Sequence, residues 1–210
     1  MGLLGQPRFV TSVFVDWGLR MTSDETTAKQ RKFSRIIVAY PFALIALAFG
    51  LNLFAFGVQP AAPSLPTHAH LAALSVSISL LLANHIWLMT STELTRLRHN
   101  LHATPEEWQA AGTNEREASD TGRSELKRRH NAHTNATENT VYFALLALPS
   151  ILISASSLVI WVWFLAFAVG RLGHAFSYLT GKDGLRGLFM TVSLTALFGM
   201  ASYLAVALFL

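Results

Sequence analysis

The chain has 210 residues, of which 52% are hydrophobic and only 13% are charged, with a formal net charge of +4. This composition is too apolar for an ordinary soluble domain of the same length. The chain has no cysteine, which excludes disulfides and a cysteine nucleophile, so any thiol chemistry would need a sulfur atom from the substrate.

Long uncharged segments dominate the sequence. They cover residues 36–58, 71–92, 139–158, 158–170 and 187–210. A helix needs about 20 apolar residues to cross a bilayer. The sequence therefore predicts an all-α integral membrane protein with five transmembrane helices, A to E in chain order.

The N-terminal third is predicted to contain one transmembrane helix that precedes the other four in the chain. Residues 1–33 form a cytoplasmic lead-in, whose segment 7–19 either lies along the membrane surface or is a poorly ordered terminus. Residues 34–66 hold helix A and an outer, proline-rich connector. Asn52 is the polar residue inside helix A, and we expect it to make a packing hydrogen bond.

Residues 67–210 are predicted to form a four-helix transmembrane domain. Helix B precedes a polar cytoplasmic loop over 99–124, in which Thr104 and Pro105 have the pattern of a helix N-terminus. Helix C begins near Ser124, helix D covers 157–180, and helix E extends from about Asp183 to the end of the chain.

The basic residues predict the orientation in the membrane. All 16 Lys and Arg lie in residues 8–35, in residues 96–129, or at Arg171, Lys182 and Arg186. With five spans these regions fall on one side, which the positive-inside rule makes cytoplasmic; the C-terminus then lies on the opposite side. Because topology explains this charge, it gives little support for nucleic-acid binding.

Polar side chains converge at the cytoplasmic ends of helices C, D and E. They are Asn131, Asn135 and Glu138 at i, i+4 and i+7; Arg171, His174 and Tyr178 at i, i+3 and i+7; and Arg186 at the start of helix E. Guanidinium groups bind carboxylates, and a carboxylate binds ammonium. The set is therefore suited to a small polar ligand that carries both charges.

Several of these residues also have structural interpretations. Glu138 could form an internal ion pair with an arginine, and Tyr178 could be an interfacial aromatic residue. Arg96 and Arg98 could anchor helix B at the interface or contact the ligand. His133 faces away from Glu138 and is expected to pack between helices, and the histidine spacings predict no metal site.

Two ordered motifs resemble a known family. They are His133-x-Asn135-x-x-Glu138-x-x-x-x-Phe143, and Gly170-Arg171-x-x-His174-x-x-x-Tyr178-Leu179 followed by a basic residue at the start of the last helix. Over about residues 70–210 the sequence resembles the MAPEG family, the membrane-associated proteins of eicosanoid and glutathione metabolism. Its glutathione transferase and prostaglandin E synthase branch is the most similar.

The resemblance implies a left-handed four-helix bundle, here preceded by one extra transmembrane helix, that assembles as a homotrimer. It implies that glutathione, as co-substrate, binds at the cytoplasmic ends between subunits. The glutathione-contacting positions would be Asn135, Glu138, His174, Tyr178 and Arg186, together with Asn131 and either Arg96 or Arg98. Arg171 would match the family arginine of helix D. Family members commonly carry arginine where this chain has Asn131, and some where it has Thr134.

The expected activity is a detoxifying glutathione transferase, with glutathione peroxidase activity as a further option. Arg186 is the first candidate for holding the thiolate and Arg171 the second. The other substrate would be an apolar electrophile or a lipid hydroperoxide from the bilayer. One alternative is a non-catalytic scaffold of the same family that binds a lipid or another ligand; a transporter is less favoured because inverted repeats are not evident.

Overall fold

The computed structural model describes residues 25–153 and 155–210, so the segment 7–19 lies outside the described residues. The long helices are α1 (Glu25–Gly50), α2 (His68–His99), α4 (Asp120–Ile151), α5 (Ser157–Leu179) and α6 (Asp183–Phe209). A π-helical segment, Leu51–Phe56, continues α1, and a short α3 (Pro105–Ala110) lies in the loop between α2 and α4. The structure confirms an all-α architecture for the part of the chain that it describes.

Four of the described helices are long and apolar enough to cross a membrane: α1 with its π-helical extension, α2, α5 and α6. The remaining long helix, α4, has 32 residues, but the polar sequence of its first half keeps its mean hydropathy low. It still packs against α2, α5 and α6. The protein is therefore a multi-pass membrane protein in which α4 is the polar member of the bundle.

The described chain divides into two compact units, which end and begin within α1 at Ala43 and Leu44. The larger unit, Leu44–Leu210, contains the bundle of α2, α4, α5 and α6, in which α5 and α6 make the most extensive contact. Its core is aromatic: Phe143 stacks on Phe167 with centroids 4.7 Å apart and meets Phe164 edge-on at 5.3 Å.

Glycines allow α5 and α6 to approach closely. A Cβ atom on Gly199 of α6 would lie 2.5 Å from the indole of Trp163 on α5, and one on Gly173 would lie 2.3 Å from the Phe189 ring. Small residues at such crossings are typical of membrane helix pairs, because their association depends on close van der Waals packing.

Asn52 has the structural role predicted for it. It is fully buried, and its amide nitrogen donates to the Gly199 carbonyl oxygen at 2.8 Å and to Ser202 Oγ at 2.9 Å. Its Oδ1 accepts from Trp163 Nε1 at 3.0 Å. These three bonds attach the π-helical segment to α5 and α6.

Side-chain caps and a glycine turn define the ends of several helices. Ser119 caps α4 by accepting from the Gly122 amide at 3.1 Å, so α4 begins at Asp120, four residues before the predicted start. Thr104 caps α3 with Pro105 in its first turn, as predicted. The turn between α5 and α6 uses Gly181 at φ 70°, which favours glycine.

Candidate functional site

A polar pocket of about 300 Å³ lies between α4 and the C-terminal half of α5. It is lined by Asn131, Thr134, Asn135, Glu138, His174 and Tyr178. Five of these residues were predicted to form one site from their helical spacing. Thr134 was noted only as a departure from the family pattern, and it contributes to the same wall.

Arg171 lies behind this pocket rather than within it. Its side chain is fully buried, and Nη2 donates to Asn135 Oδ1 at 2.5 Å and lies 3.5 Å from His174 Nδ1. Its Nη1 lies 3.5 Å from Ser193 Oγ. Within residues 25–153 and 155–210, no carboxylate forms an ion pair with Arg171. The guanidinium therefore positions the two pocket residues Asn135 and His174 and adds positive charge beside them.

Aromatic contacts connect the pocket to the start of α6. The His174 and Tyr178 rings lie 5.6 Å apart, and the Arg186 guanidinium lies over the Tyr178 ring at 5.0 Å. Arg186 also pairs with Asp183 at 3.2 Å and keeps 41% of its side-chain surface exposed. Arg186 is thus at the rim of the pocket, held against one of its lining residues.

Glu138 is exposed and lines the pocket. The structural alternative, an internal ion pair with an arginine, is not seen among the described residues. A carboxylate on a membrane helix is costly without a cationic or hydrogen-bonding partner. Its surroundings therefore favour a partner from outside the described chain.

Arg96 and Arg98, at the end of α2, do not line the pocket of this chain. Arg96 Nη1 pairs with Glu93 at 2.6 Å, and Nη2 lies 3.5 Å from His130 Nε2. Arg98 is exposed. The prediction that one of them belongs to the binding site is thus not met by a single copy of the chain.

His133 packs between helices, as expected. Its Nε2 lies 3.1 Å from Nδ1 of His85 on α2, with ring centroids 4.9 Å apart. The contact with His85 was not predicted, and neither was the bond between Ser193 and Arg171. Ser193 lies in an apolar run with no sequence signal, because pairing across helices depends on their rotation and depth.

Two carboxylates near helix starts outside the spanning segments have pKa values below the ordinary one. A hydrogen bond from Arg129 holds the pKa of the Glu125 carboxyl below its ordinary value. At the start of α3, hydrogen bonds from the Glu106 backbone amide and then from Thr104 lower the pKa of Glu106. Both carboxylates stay ionised at neutral pH.

In the described part of the chain, no group of three His, Cys, Asp or Glu side chains is arranged to hold a metal ion.

Comparison with known proteins agrees with the motifs. The sequence model of the MAPEG family matches residues 72–206, which include most of α2, all of α4 and α5, and most of α6 but leave α1 outside. No curated protein shows a significant match to the chain. A match over more than half of the sequence, to a bundle that contains the paired polar motifs, places the protein among membrane proteins of glutathione and eicosanoid metabolism. The chain belongs to the MAPEG family.

Proposed function

We propose that the protein is a membrane-bound glutathione transferase, with glutathione peroxidase activity as a second reaction of the same site. The observation that carries the proposal is that two oppositely charged side chains at the pocket have no ion-pair partner in the described chain. Glu138 lines a polar pocket without an ion pair in the described chain, and Arg171 is buried behind its wall without a carboxylate. A ligand complements such a pocket when its ammonium group faces Glu138 and its anionic groups lie near the rim, where Arg186 is partly exposed and the buried Arg171 adds positive charge.

Glutathione has this charge pattern, and family members generally use it. Its ammonium group would pair with Glu138, and its amides would bond to Asn131 and Asn135. Tyr178 would offer its phenol as a further hydrogen-bond donor. We assign these roles because all four side chains line the pocket.

The thiol group needs a cation because only the thiolate is a good nucleophile. A free thiol has a pKa of about 8.5 and is mostly protonated at neutral pH. Arg186, at the pocket rim, would stabilise the anion, aided by the N-terminal dipole of α6. The proton passes to solvent, the sulfur bonds to the electrophilic carbon, and the electron pair of the broken bond leaves with the departing group.

The arginines at the end of α2 fit the proposal only in an assembly. A homotrimer with glutathione between subunits would let Arg96 or Arg98 of one copy reach the pocket of the next. This arrangement supplies the carboxylate-binding charge that Asn131 and Thr134 lack. The second substrate, an apolar electrophile or lipid hydroperoxide, would enter from the surrounding bilayer.

The second candidate function is a non-catalytic scaffold that binds a lipid or a glutathione-like ligand. The observation in its favour is the same pair, Asn131 and Thr134. Both line the pocket, at positions where arginine is common in the family (Asn131) or occurs in some members (Thr134). Loss of that charge weakens carboxylate binding.

Turnover in detergent separates the two functions. The purified protein, given glutathione and an apolar electrophile, should form the conjugate. Arg186→Ala should lower kcat/KM by about 100-fold, the scale expected for loss of one charge-stabilising donor. Arg116→Ala, in the exposed loop before α4, is the matched control and should keep full activity. A folded wild-type protein without conjugation would refute the transferase and favour the scaffold.

A further inference from the structure

The first turns of α1 carry four basic side chains close together in the sequence. They are Lys29, Arg31, Lys32 and Arg35, and we refer to them as the basic collar. All four are exposed in the described chain. The sequence has no Asp or Glu between Glu25 and Glu93, so no acidic residue follows the collar along α1. The collar is therefore a concentrated positive charge at one end of this helix.

The collar differs from other basic regions of the chain in its ion pairs. The ion pairs between described side chains join an acidic residue to an arginine three or four positions away, and these arginines are Arg96, Arg123, Arg128, Arg129 and Arg186. None of these pairs includes a collar residue. The counter-charge of the collar must therefore come from outside the described residues.

The collar residues also lie close to each other on the helix surface. Arg31 and Arg35 are at i and i+4, and Lys32 and Arg35 are at i and i+3, which places their Cβ atoms about 5–6 Å apart. Like charges at these spacings destabilise a helix. An anion between the two guanidinium groups would relieve the repulsion, and guanidinium groups bind phosphate oxygens through paired hydrogen bonds.

The position of the collar along α1 matches the headgroup layer of a bilayer. The uncharged run that follows it extends from Ile36 to Phe56, at the end of the π-helical segment. This run is about 30 Å long at the rise of a helix, which equals the thickness of the hydrocarbon core. The collar itself covers about 9 Å, and the polar layer on each side of the core is about 5–8 Å thick. The collar therefore lies at the depth of the phospholipid headgroups.

The same turns of α1 carry apolar side chains that are suited to a lipid surface. Phe33 and Ile36 are each 53% exposed, and Ile37 is 70% exposed. The aliphatic stems of Lys and Arg extend along such apolar surface while their charged ends reach the interface. The combination favours a membrane surface over a soluble polyanion as the partner of the collar.

We propose that the basic collar binds the anionic headgroups of phospholipids, with Arg31 and Arg35 sharing one phosphate group. The partner is a lipid with a net negative charge, because a zwitterionic headgroup brings its own ammonium group and supplies no net counter-charge. The collar lies before the family match over residues 72–206. The proposal therefore depends neither on the transferase activity nor on the orientation of the chain.

Photolabelling with two lipids tests the proposal. The full chain is reconstituted in phosphatidylcholine vesicles with a trace of photoreactive phosphatidylglycerol or phosphatidylcholine, whose diazirine lies near the headgroup end of one acyl chain. In the wild type, the anionic probe should label residues 36–43 roughly 25-fold more than the zwitterionic probe, the effect of about two basic residues near a membrane surface. Residues 200–209, far from any basic residue in the sequence, should show no preference. Equal labelling of 36–43 by both probes would overturn the proposal.

Single substitutions assign the preference to the collar. Arg31→Gln and Arg35→Gln should each lower it about fivefold, whereas Arg35→Lys, which keeps the charge, should retain most of it. Arg116→Gln removes an exposed arginine from the loop before α4 and should change nothing. The collar would be rejected as the site if the preference survived both glutamine variants of the collar or fell equally in Arg116→Gln. An equal loss in Arg35→Lys and Arg35→Gln would reject the role of charge.

Inorganic phosphate tests the soluble alternative with the same chemistry. It is added to the wild-type vesicles and compared with sodium chloride at equal ionic strength. The labelling preference should be the same in both salts, because free phosphate lacks the acyl chains that keep a lipid headgroup beside α1. Loss of the preference in phosphate alone would overturn the lipid assignment in favour of a site for free phosphate.

Discussion

At the scale of single residues, hydrogen bonds of buried polar groups determine how the helices of this bundle pack against each other. Arg171 connects Asn135 and His174 from behind the polar pocket, and Asn52 connects three segments through its amide. In an apolar environment such groups are expensive to bury unless they are bonded. Their partners therefore determine how the helices are rotated against each other.

Replacement of Asn52 should be strongly destabilising. Asn52→Leu removes three hydrogen bonds and leaves the buried Trp163 indole N–H without its acceptor. We expect a loss of about 2–4 kcal/mol in the free energy of unfolding, measured by chemical denaturation in detergent.

Phe54→Leu, at a neighbouring position that is 90% exposed, provides the control and should change the stability by less than about 0.5 kcal/mol. Equal stability of the two variants would contradict the role of Asn52.

At the scale of helices, the uncharged runs predicted α1, α2, α5 and α6 well, because apolar length alone identifies a spanning segment. The run 139–158 was less informative, because α4 begins with a polar half and is not among the candidate spans. The motif spacings likewise predicted which side chains of α4 and α5 share a face. The start of α4 was misplaced by four residues because the Ser119 cap precedes a polar segment that has no hydrophobic signal. The His85–His133 contact was not predictable, because it depends on how two helices face each other.

The contact of α5 with α6 depends on the absence of a side chain at Gly199. Gly199→Ala brings a methyl group to within 2.5 Å of the Trp163 ring, which is itself buried and hydrogen-bonded. We expect a loss of about 1–3 kcal/mol from overpacking, seen as a lower thermal midpoint in detergent.

Gly187→Ala is the matched change in the same helix, since nothing lies within 4 Å of a Cβ atom there. It should be neutral or slightly stabilising, because alanine favours a helix more than glycine does. A lower midpoint for Gly187→Ala than for Gly199→Ala would refute this packing account.

At the scale of the whole molecule, the family match covers the four-helix bundle but not the extra N-terminal helix. The family match begins at residue 72, whereas the π-helical segment that continues α1 is bonded into the bundle through Asn52. The predicted domain boundaries, the homotrimer and the left-handed bundle stay predictions. So does the orientation, in which the loop between α2 and α4 is cytoplasmic.

Cysteine labelling tests the orientation cleanly because the native chain has no thiol. Thr113→Cys lies in the exposed α2–α4 loop and Ser64→Cys in the exposed connector before α2. In sealed vesicles of known orientation, an impermeant maleimide applied from the cytoplasmic side should label the first variant only. Labelling of both, or of Ser64→Cys alone, would contradict the assignment from the basic residues.

We propose that the pocket between α4 and α5 binds glutathione and holds it as the thiolate. The most direct measurement is the ultraviolet difference absorbance of the thiolate when glutathione is added to the purified protein at neutral pH. We expect a saturable signal in the wild type and in Arg116→Ala, and its loss in Arg186→Ala. A folded wild-type protein that binds no glutathione, or binds it without a thiolate signal, would contradict it.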